Sequence, residues 1–193
     1  MSNRSIHTLL KNWDEECPLT REEAVEVLNL PEEEMDSLME CAYALRTKYK
    51  GKKVSVQLLT NVRSGNCTQN CAYCAQSKDS QAEIEKYKRV SDEKLYGDND
   101  LVDEKHLARH CIGLSGIGFS DEEIEDLADR IREMKKKDTQ ICCSIGFLTE
   151  KQARILKDAG LDRINHNLNS SRSFYPEICS THTYDQRVNN IKM

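Results

Sequence analysis

The stretch NCTQNCAYCAQS, residues 66–77, decides the fold, because it places Cys67, Cys71 and Cys74 on one short segment. Three thiolates on one loop can occupy three corners of an iron-sulfur cube and leave the fourth iron without a protein ligand. An incompletely ligated metal can take part in chemistry, whereas a fully ligated metal is structural. The spacing C-x3-C-x2-C therefore predicts a reactive metal centre.

Two other interpretations of the same cysteines are a zinc knot and a set of buried thiols. Zinc ribbons usually combine two C-x2-C pairs, or a Cys/His pair at a distance, and the sequence contains no second pair of that kind. The spacing favours an iron-sulfur cluster over zinc. Both interpretations remain open until the neighbouring residues are considered.

The neighbouring residues resemble the signature of the radical S-adenosylmethionine (SAM) enzymes. Tyr73 stands just before the third cysteine, where that signature has an aromatic residue, and AQS at residues 75–77 is similar to biotin synthases in particular. The resemblance implies that Cys67, Cys71 and Cys74 hold a 4Fe-4S cluster. It also implies that SAM chelates the free iron.

A second segment agrees with the first. NHNLNSS, residues 165–171, and the following residues 174–187 are similar to the biotin synthase segment that touches SAM and dethiobiotin. Asn169 stands where an acidic residue is usual, so its hydrogen bond to a ribose hydroxyl would lack the strength of a charged one. His182 stands where biotin synthases often have arginine, which would make the charge of the pocket depend on pH. The SAM-binding residues implied by the two segments are Tyr73, Asn165, Asn167 and Asn169.

Two further cysteines bear on the substrate, because hydrogenase maturases and methylornithine synthases share the NHNL pattern. Cys111 and Cys142 lie in segments that match those holding the first two ligands of a second cluster in biotin synthases. The resemblance implies a 2Fe-2S cluster that donates sulfur and is held by three cysteines and an arginine. Alone, each of these cysteines is also typical of a protein core.

The composition is typical of an intracellular enzyme. An odd number of cysteines, nine, fits a reducing compartment better than a disulfide scaffold. The first residues form no long apolar leader and no stretch reaches the length of a membrane span, so we expect a cytoplasmic protein without a membrane anchor. The net charge is -5 with both signs interspersed, which leaves no basic face for nucleic acid.

Three helix starts are marked by capping boxes, in which a Ser or Thr is followed three residues later by Glu or Gln. The first box opens a predicted pair of N-terminal helices, residues 20–29 and 31–49, and Gly51 ends the second helix. The three boxes are Thr20 with Glu23, Ser120 with Glu123, and Thr149 with Gln152.

Beyond Gly51, apolar segments predict strands that alternate with helices, and such alternation indicates a parallel sheet covered by helices. The predicted fold class is α/β: a partial (β/α) barrel of the TIM type and the radical SAM kind, preceded by N-terminal helices. The predicted strands span residues 54–59, 110–114, 140–144 and 162–165.

The candidate site residues follow the ends of these strands, which is the face where barrel enzymes bind their substrates. The turn after the second strand, residues 113–118, lacks both the G-x-G-x-x-G spacing and the lysine of a phosphate-binding loop. The resemblance implies that this turn lets the methionine end of SAM approach the backbone. A plain tight turn is an equal alternative.

Two features depart from the family. Only residues 102–108 are predicted as helix between the first two strands, which is under two turns, although a crossover needs a dozen or more residues. The chain also ends at Met193 after four predicted strands, whereas a complete barrel has about 250 residues.

We expect residues 1–51 to form an N-terminal helical segment and residues 52–193 a radical SAM core that is incomplete at its C-terminus. The third cysteine and the arginine of the sulfur cluster are then missing, and Cys179 is not expected to replace them.

The resemblance implies a biotin synthase-like sulfurtransferase. In the complete enzyme the cluster reduces SAM, a 5'-deoxyadenosyl radical removes hydrogen from dethiobiotin, and the second cluster supplies sulfur. A flavodoxin or ferredoxin would deliver the electron, and the complete chain would form a homodimer. No side chain is assigned a catalytic role, because the cofactors perform the difficult step.

Two alternatives to this function remain open. The first is a radical SAM enzyme with another substrate, distinguished by whether Cys111 and Cys142 bind iron. The second is a non-catalytic fragment that binds zinc or an iron-sulfur cluster, favoured by the exposed strand edge that a four-stranded half-barrel would leave.

Overall fold

The structure of the protein is a computed structural model that describes residues 19–193. Residues 1–18, the start of the predicted N-terminal segment, lie outside the described residues. By its contacts the chain forms two compact units, with the boundary between Val54 and Ser55.

Over residues 19–54, the first unit contains two helices. The capping box predicted at Thr20 is present, since the Thr20 hydroxyl accepts from Glu23 N at 3.2 Å and the Glu23 carboxylate accepts from Thr20 N at 2.9 Å. A short 3-10 turn, Glu32–Glu34, precedes the second helix, which ends at Gly51. The helices are α1, Arg21–Leu28, and α2, Met35–Lys50.

The second unit is a parallel sheet of four strands whose order in the sheet equals their order in the chain. A doubly wound sheet would reverse its strand order at a switch point, whereas chain order is the arrangement of a β/α barrel. The predicted partial β/α fold is therefore confirmed. The strands are β1, Gln57–Arg63, β2, Arg109–Leu114, β3, Ile141–Ser144, and β4, Arg163–Asn165. The helices are α3, Asp92–Glu104, α4, Asp121–Met134, α5, Glu150–Asp158, α6, Tyr175–Ile178, and α7, Tyr184–Lys192.

The crossover from β1 to β2 contains a full helix, so the prediction of under two turns over residues 102–108 is wrong. Helix α3 has 13 residues and begins after Ser91, whose hydroxyl accepts from Lys94 N at 3.2 Å. The helical pattern was hard to recognise because Gly97 lies in its middle and one of its three buried positions is polar. The buried residues are Leu95, Asn99 and Val102.

Strand β1 is also shifted relative to the predicted residues 54–59, since it begins at Gln57 and continues to Arg63. The polar pair Thr60 and Asn61 resembles the end of a strand, but the Thr60 side chain is buried and hydrogen-bonded. The remaining strands begin and end within one residue of the predicted positions. The capping boxes predicted for α4 and α5 are present.

A buried chain of polar side chains joins β1, β2, α3 and α4. The Asn99 amide donates to Met134 O at 3.2 Å, so its oxygen, 3.2 Å from His110 Nδ1, accepts from that nitrogen. The other ring nitrogen of His110 lies 2.8 Å from the Thr60 hydroxyl, which also lies 2.6 Å from the Asp98 carboxylate and has one proton for the two acceptors. Burial lowers the pKa of His110 to about 4, so the ring is neutral near pH 7. Every polar group in this chain thus has a partner.

The apolar core lies between the sheet and helices α3, α4 and α5. Alternate residues of β2 and β3 point into it, while Cys111 and Cys142 occupy the alternating positions that face the other side of the sheet. No helix within residues 19–193 is both long enough and apolar enough to cross a membrane. Fully buried core residues include Leu95, Ile112, Ile124, Ile131, Ile141 and Leu156.

We predict that Gly97→Ala stabilises the second unit. Gly97 is exposed inside α3, and an added Cβ would meet no atom within 4 Å. Alanine lowers the conformational entropy of the unfolded chain, so the free energy of unfolding should rise by about 0.5–1 kcal/mol. Gly51→Ala is the matched control of opposite sign, because a φ of 62° at Gly51 strains any other residue. Urea unfolding measures both, and a loss of stability in Gly97→Ala would contradict the prediction.

Candidate active site

A cavity of about 230 Å³ lies at the C-terminal ends of the strands, where the loops after all four strands meet. Parallel strands in chain order bring their carboxyl ends to the same edge, so residues far apart in sequence become neighbours. All seven residues assigned above to the 4Fe-4S cluster and SAM line this cavity. They are Cys67, Cys71, Tyr73, Cys74, Asn165, Asn167 and Asn169.

The cysteine loop is held in place by the segment that follows α6. Asn70 is the main anchor, since its side-chain oxygen accepts from the backbone amides of Ser180 and Thr181 at 3.1 and 3.2 Å. Its amide also donates to the Ser180 hydroxyl at 2.8 Å, and Ala72 N donates to Ile178 O at 2.9 Å. These bonds tie together parts of the chain about a hundred residues apart.

The three thiols of the loop differ in exposure. Cys71 is buried, with 7% of its surface exposed, whereas Cys67 and Cys74 are half-buried. Burial, followed by the nearby Cys179, raises the pKa of the Cys71 thiol to about 11. A buried thiol of this kind becomes a thiolate when it binds a metal. Three soft donors on one wall of a cavity fit an iron-sulfur cluster with one open iron.

The part of the cavity lining that follows β4 is polar. Asn169 donates from its side-chain amide to the Tyr73 hydroxyl at 2.5 Å and adopts a left-handed φ of 65°, which asparagine tolerates better than most residues. Burial and the adjacent Cys71 raise the pKa of Tyr73, so the phenol stays neutral. Amide and hydroxyl groups fit the ribose and the amino-acid end of SAM. The Asn169 amide thus lines the cavity while it is hydrogen-bonded to the cysteine loop.

The cationic group beside this polar lining is Arg187. Its guanidinium donates to Asn167 O at 3.1 Å and to the Tyr175 hydroxyl at 2.5 Å. Burial, followed by the charge of Arg187, lowers the pKa of His182 to about 4. The expected change of charge at His182 therefore does not occur near neutral pH. The same two causes lower the pKa of His166, whose ring lies 5.4 Å from that of Phe147.

Cys179 and His182 form a buried cluster with Cys71 that the sequence analysis missed. Cys179 Sγ lies 3.8 Å from Cys71 Sγ and 3.3 Å from His182 Nδ1. Burial raises the pKa of the Cys179 thiol, but hydrogen bonds from the Thr181 hydroxyl and the backbone amides of Thr181 and His182 outweigh it and lower the pKa. No local sequence pattern indicates this cluster, because its members come from two loops that are separated in the chain by α3 to α6.

Cys111 and Cys142 lie together, but deeper in the sheet than the cavity. They are direct neighbours in the register of β2 and β3, on the face opposite the helices. Burial and the adjacent Cys111 raise the pKa of Cys142 to about 11. The same row of the sheet continues to Arg163 on β4, and Arg109 Nε is buried without a hydrogen-bond partner among residues 19–193. Two thiols thus lie beside two guanidinium groups, whose positive charge favours the thiolate form that binds soft metals.

The glycine turns after β2 and β3 pack backbone against backbone. Ile117 O accepts from Phe147 N at 2.6 Å, and a Cβ added at Gly146 would lie only 2.4 Å from that same oxygen. The Ser115 hydroxyl donates to Gly65 O at 2.6 Å and so links this turn to the cysteine loop. The turn over residues 115–118 thus has a structural role in joining the loops around the cavity.

A β/α sheet in chain order carries a three-cysteine loop and polar side chains at its strand ends, and this geometry agrees with the family that the sequence matches. The model of the Radical SAM superfamily matches residues 61–193, and the chain belongs to this superfamily. Membership implies an enzyme whose cofactors are a 4Fe-4S cluster and SAM.

The similar curated proteins are biotin synthases. The chain is 39% identical over 175 residues to the biotin synthase of Geobacillus kaustophilus, which is 90% of this chain and 53% of that protein. It is 40% identical over 176 residues to the biotin synthase of Bacillus subtilis strain 168, covering 91% and 52%. The chain therefore spans about half the length of the curated relatives it matches.

Two crystal structures share the fold. Methylornithine synthase superposes with a TM-score of 0.80 at 16% identity, over 96% of this chain and 53% of that chain. HydG, a maturase of the FeFe-hydrogenase, superposes with a TM-score of 0.73 at 18% identity, over 96% and 42%. At these identities the likeness concerns the fold alone.

We predict that Gly146→Ala disturbs the cavity by pushing apart the turns after β2 and β3. The new methyl group would overlap Ile117 O, so the free energy of unfolding should fall by about 1–3 kcal/mol. Gly118→Ala is the matched control on the facing turn, since its Cβ would meet nothing within 4 Å. Denaturant unfolding of both variants measures the difference, and equal stability of the two would contradict the prediction.

Proposed function

We propose that this chain forms part of the catalytic barrel of an enzyme that converts dethiobiotin to biotin. The observation that carries the proposal is one cavity lined by the three thiols of the cysteine loop and the asparagines after β4. The identity of about 40% to biotin synthases supports the same substrate. In this proposal residues 1–51 are an N-terminal helical segment and residues 52–193 are a radical SAM core, incomplete at its C-terminus.

Cys67, Cys71 and Cys74 are the proposed ligands of the 4Fe-4S cluster. When bound, the cluster and SAM supply the electron transfer and the radical that attacks an unactivated C–H bond. The loop fixes where the cluster sits, because Asn70 and Ala72 hold it to the segment after α6. The half-buried thiols of Cys67 and Cys74 face the cavity, where the open iron can meet SAM.

The asparagines and Tyr73 are the proposed SAM-binding groups. Arg187 donates to the backbone carbonyl oxygen of Asn167. The side-chain amide of Asn167 makes no hydrogen bond within the described part of the chain. This exposed amide lines the cavity and is available to a ribose hydroxyl. Asn165 lies at the end of β4, two residues before Asn167. The Asn169 amide donates to both Asn167 O and the Tyr73 hydroxyl.

Cys111 and Cys142 are the proposed ligands of the sulfur-donating 2Fe-2S cluster. Their position below the cavity, on the face of the sheet away from the helices, supports a site inside the barrel. Each iron of such a cluster needs its full set of ligands, so two thiolates alone hold it weakly. Arg109 and Arg163 reduce the electrostatic cost of two adjacent thiolates.

The proposal extends to the cellular setting of the complete enzyme. A cytoplasmic location is supported by the odd number of cysteines, which a reducing compartment keeps as thiols. A flavodoxin or ferredoxin would deliver the electron, and the complete chain would assemble as a homodimer. Dethiobiotin would enter through the cavity that also receives SAM.

The first test is the loss of iron on changing Cys67, Cys71 and Cys74 to serine. The anaerobically reconstituted chain should show broad visible iron-sulfur absorption, which the triple variant loses because hydroxyls do not replace soft thiolates. Cys41→Ser is the matched control, since Cys41 lies on α2 in the other unit, and it should keep the absorption. An unchanged spectrum in the triple variant would overturn the ligand assignment.

The second test concerns SAM binding. Asn167→Ala should weaken the affinity of the reconstituted chain for SAM by about 1–3 kcal/mol, because a buried polar group of the ligand loses its partner. Asn190→Ala is the control, since that amide bonds Leu148 O away from the cavity. Isothermal titration measures both, and equal affinities in the two variants would refute the role of Asn167.

A further inference from the structure

The cluster of Cys71, Cys179 and His182 has the composition of a mononuclear metal site. Its three ligand atoms, two sulfurs and one imidazole nitrogen, all lie within 4.8 Å of one another. The three residues are buried, with 7%, 3% and 5% of their surfaces exposed. Within residues 19–193 no other three cysteine, histidine or acidic side chains bring their ligand atoms this close.

The spacing of the cluster matches a tetrahedral ion. Two thiolates that each lie about 2.3 Å from a tetrahedral zinc ion are about 3.8 Å apart, and a thiolate and an imidazole nitrogen are about 3.6 Å apart. The sulfurs of Cys71 and Cys179 are 3.8 Å apart, and Cys179 Sγ is 3.3 Å from His182 Nδ1. The third pair, Cys71 Sγ and the histidine nitrogen, lies within 4.8 Å, so the three ligands can close around a small ion after a modest shift.

The groups around the cluster complete the site. Gln69 Oε1, 2.9 Å from His182 Nδ1, is placed to act as a fourth ligand or to hold a water in that position. His182 Nε2 accepts from Arg187 Nε at 3.1 Å and lies 2.9 Å from the Tyr175 hydroxyl, so in this structure the ring proton is on Nδ1. A metal at Nδ1 moves that proton to Nε2, where the tyrosine oxygen is placed to accept it. Arg187 donates to the same oxygen at 2.5 Å and keeps it oriented.

The charge and the access of the site suit a divalent cation. Two thiolates neutralise the ion, and the mixed sulfur and nitrogen ligands are those that zinc prefers. Gln69, Cys71 and His182 also line the cavity at the strand ends, which gives the ion a path from solvent. Binding would join the cysteine loop to the loop before α7.

We propose that Cys71, Cys179 and His182 bind one Zn²⁺ ion, at a site that excludes the 4Fe-4S cluster because both need Cys71. The zinc form holds the cysteine loop in place before a cluster is inserted, and zinc must leave before iron enters. The exclusion rests on the proposed function, whereas the zinc site stands on its own geometry.

The decisive experiment starts from Cys67→Ser/Cys74→Ser, which keeps Cys71 but removes the other two thiols of the loop. The reduced, anaerobic variant is titrated with Co²⁺ and then with Zn²⁺. We expect about one ion per chain, tetrahedral cobalt absorption with a thiolate charge-transfer band for two sulfurs, and displacement of Co²⁺ by Zn²⁺. Absence of binding to this variant would overturn the proposal.

Adding Cys179→Ser or His182→Gln should weaken cobalt and zinc binding by more than about 100-fold, because each change removes a ligand. Adding Cys41→Ser instead is the matched control and should change nothing. If circular dichroism shows that Cys179→Ser does not fold, Cys179→Ala takes its place, because alanine keeps this buried position apolar. Full affinity in a folded Cys179 or His182 variant would refute the site.

Single variants separate the zinc site from the iron site. Cys74→Ser should lose iron and keep zinc, Cys179→Ser should lose zinc and keep iron, and Cys71→Ser should lose both. If the proposed iron-sulfur function fails, no variant binds iron while the zinc results stand. If the zinc proposal fails, Cys179→Ser binds zinc as the unchanged chain does.

Discussion

Parallel pairing of four strands in chain order is the constraint on which the rest of the second unit depends. Each strand ends at the same edge, so the loop after each strand is delivered to one place. The pairing is continuous from β1 through β4, and it positions residues 67 and 167 around one cavity. The placement of the cavity residues therefore follows from the backbone hydrogen bonds of the sheet.

The cysteine loop needs a second constraint, because a loop at the end of a strand is not rigid by itself. Asn70 supplies it by bonding two backbone amides of the segment after α6. This segment comes after β4, so the position of the cysteine loop depends on residues about 110 positions later in the chain. Local sequence places the three cysteines on one loop, and long-range contacts hold that loop at the cavity.

Much of the fold could be predicted from sequence, since capping boxes and apolar periods are local signals. Helix α3 could not, because Gly97 and the buried Asn99 weaken the helical pattern that Ser91 begins. The cavity residues were found through motif resemblance. The contact between Cys71 and Cys179 was not, because it depends on how two distant loops pack.

The buried polar chain through Thr60, His110 and Asn99 has a consequence for how this sequence can vary. A slip of one residue between β1 and β2 would separate these groups and would also turn Cys111 toward the helices. This buried polar network helps to specify the register of β1 and β2, since a wrong alignment leaves several buried polar groups without partners at once. Loss of His110 leaves the Asn99 oxygen without its partner, and loss of Thr60 or Asn99 leaves one ring nitrogen of His110 without its partner. We therefore expect substitutions at Thr60, Asn99 and His110 to occur together among relatives.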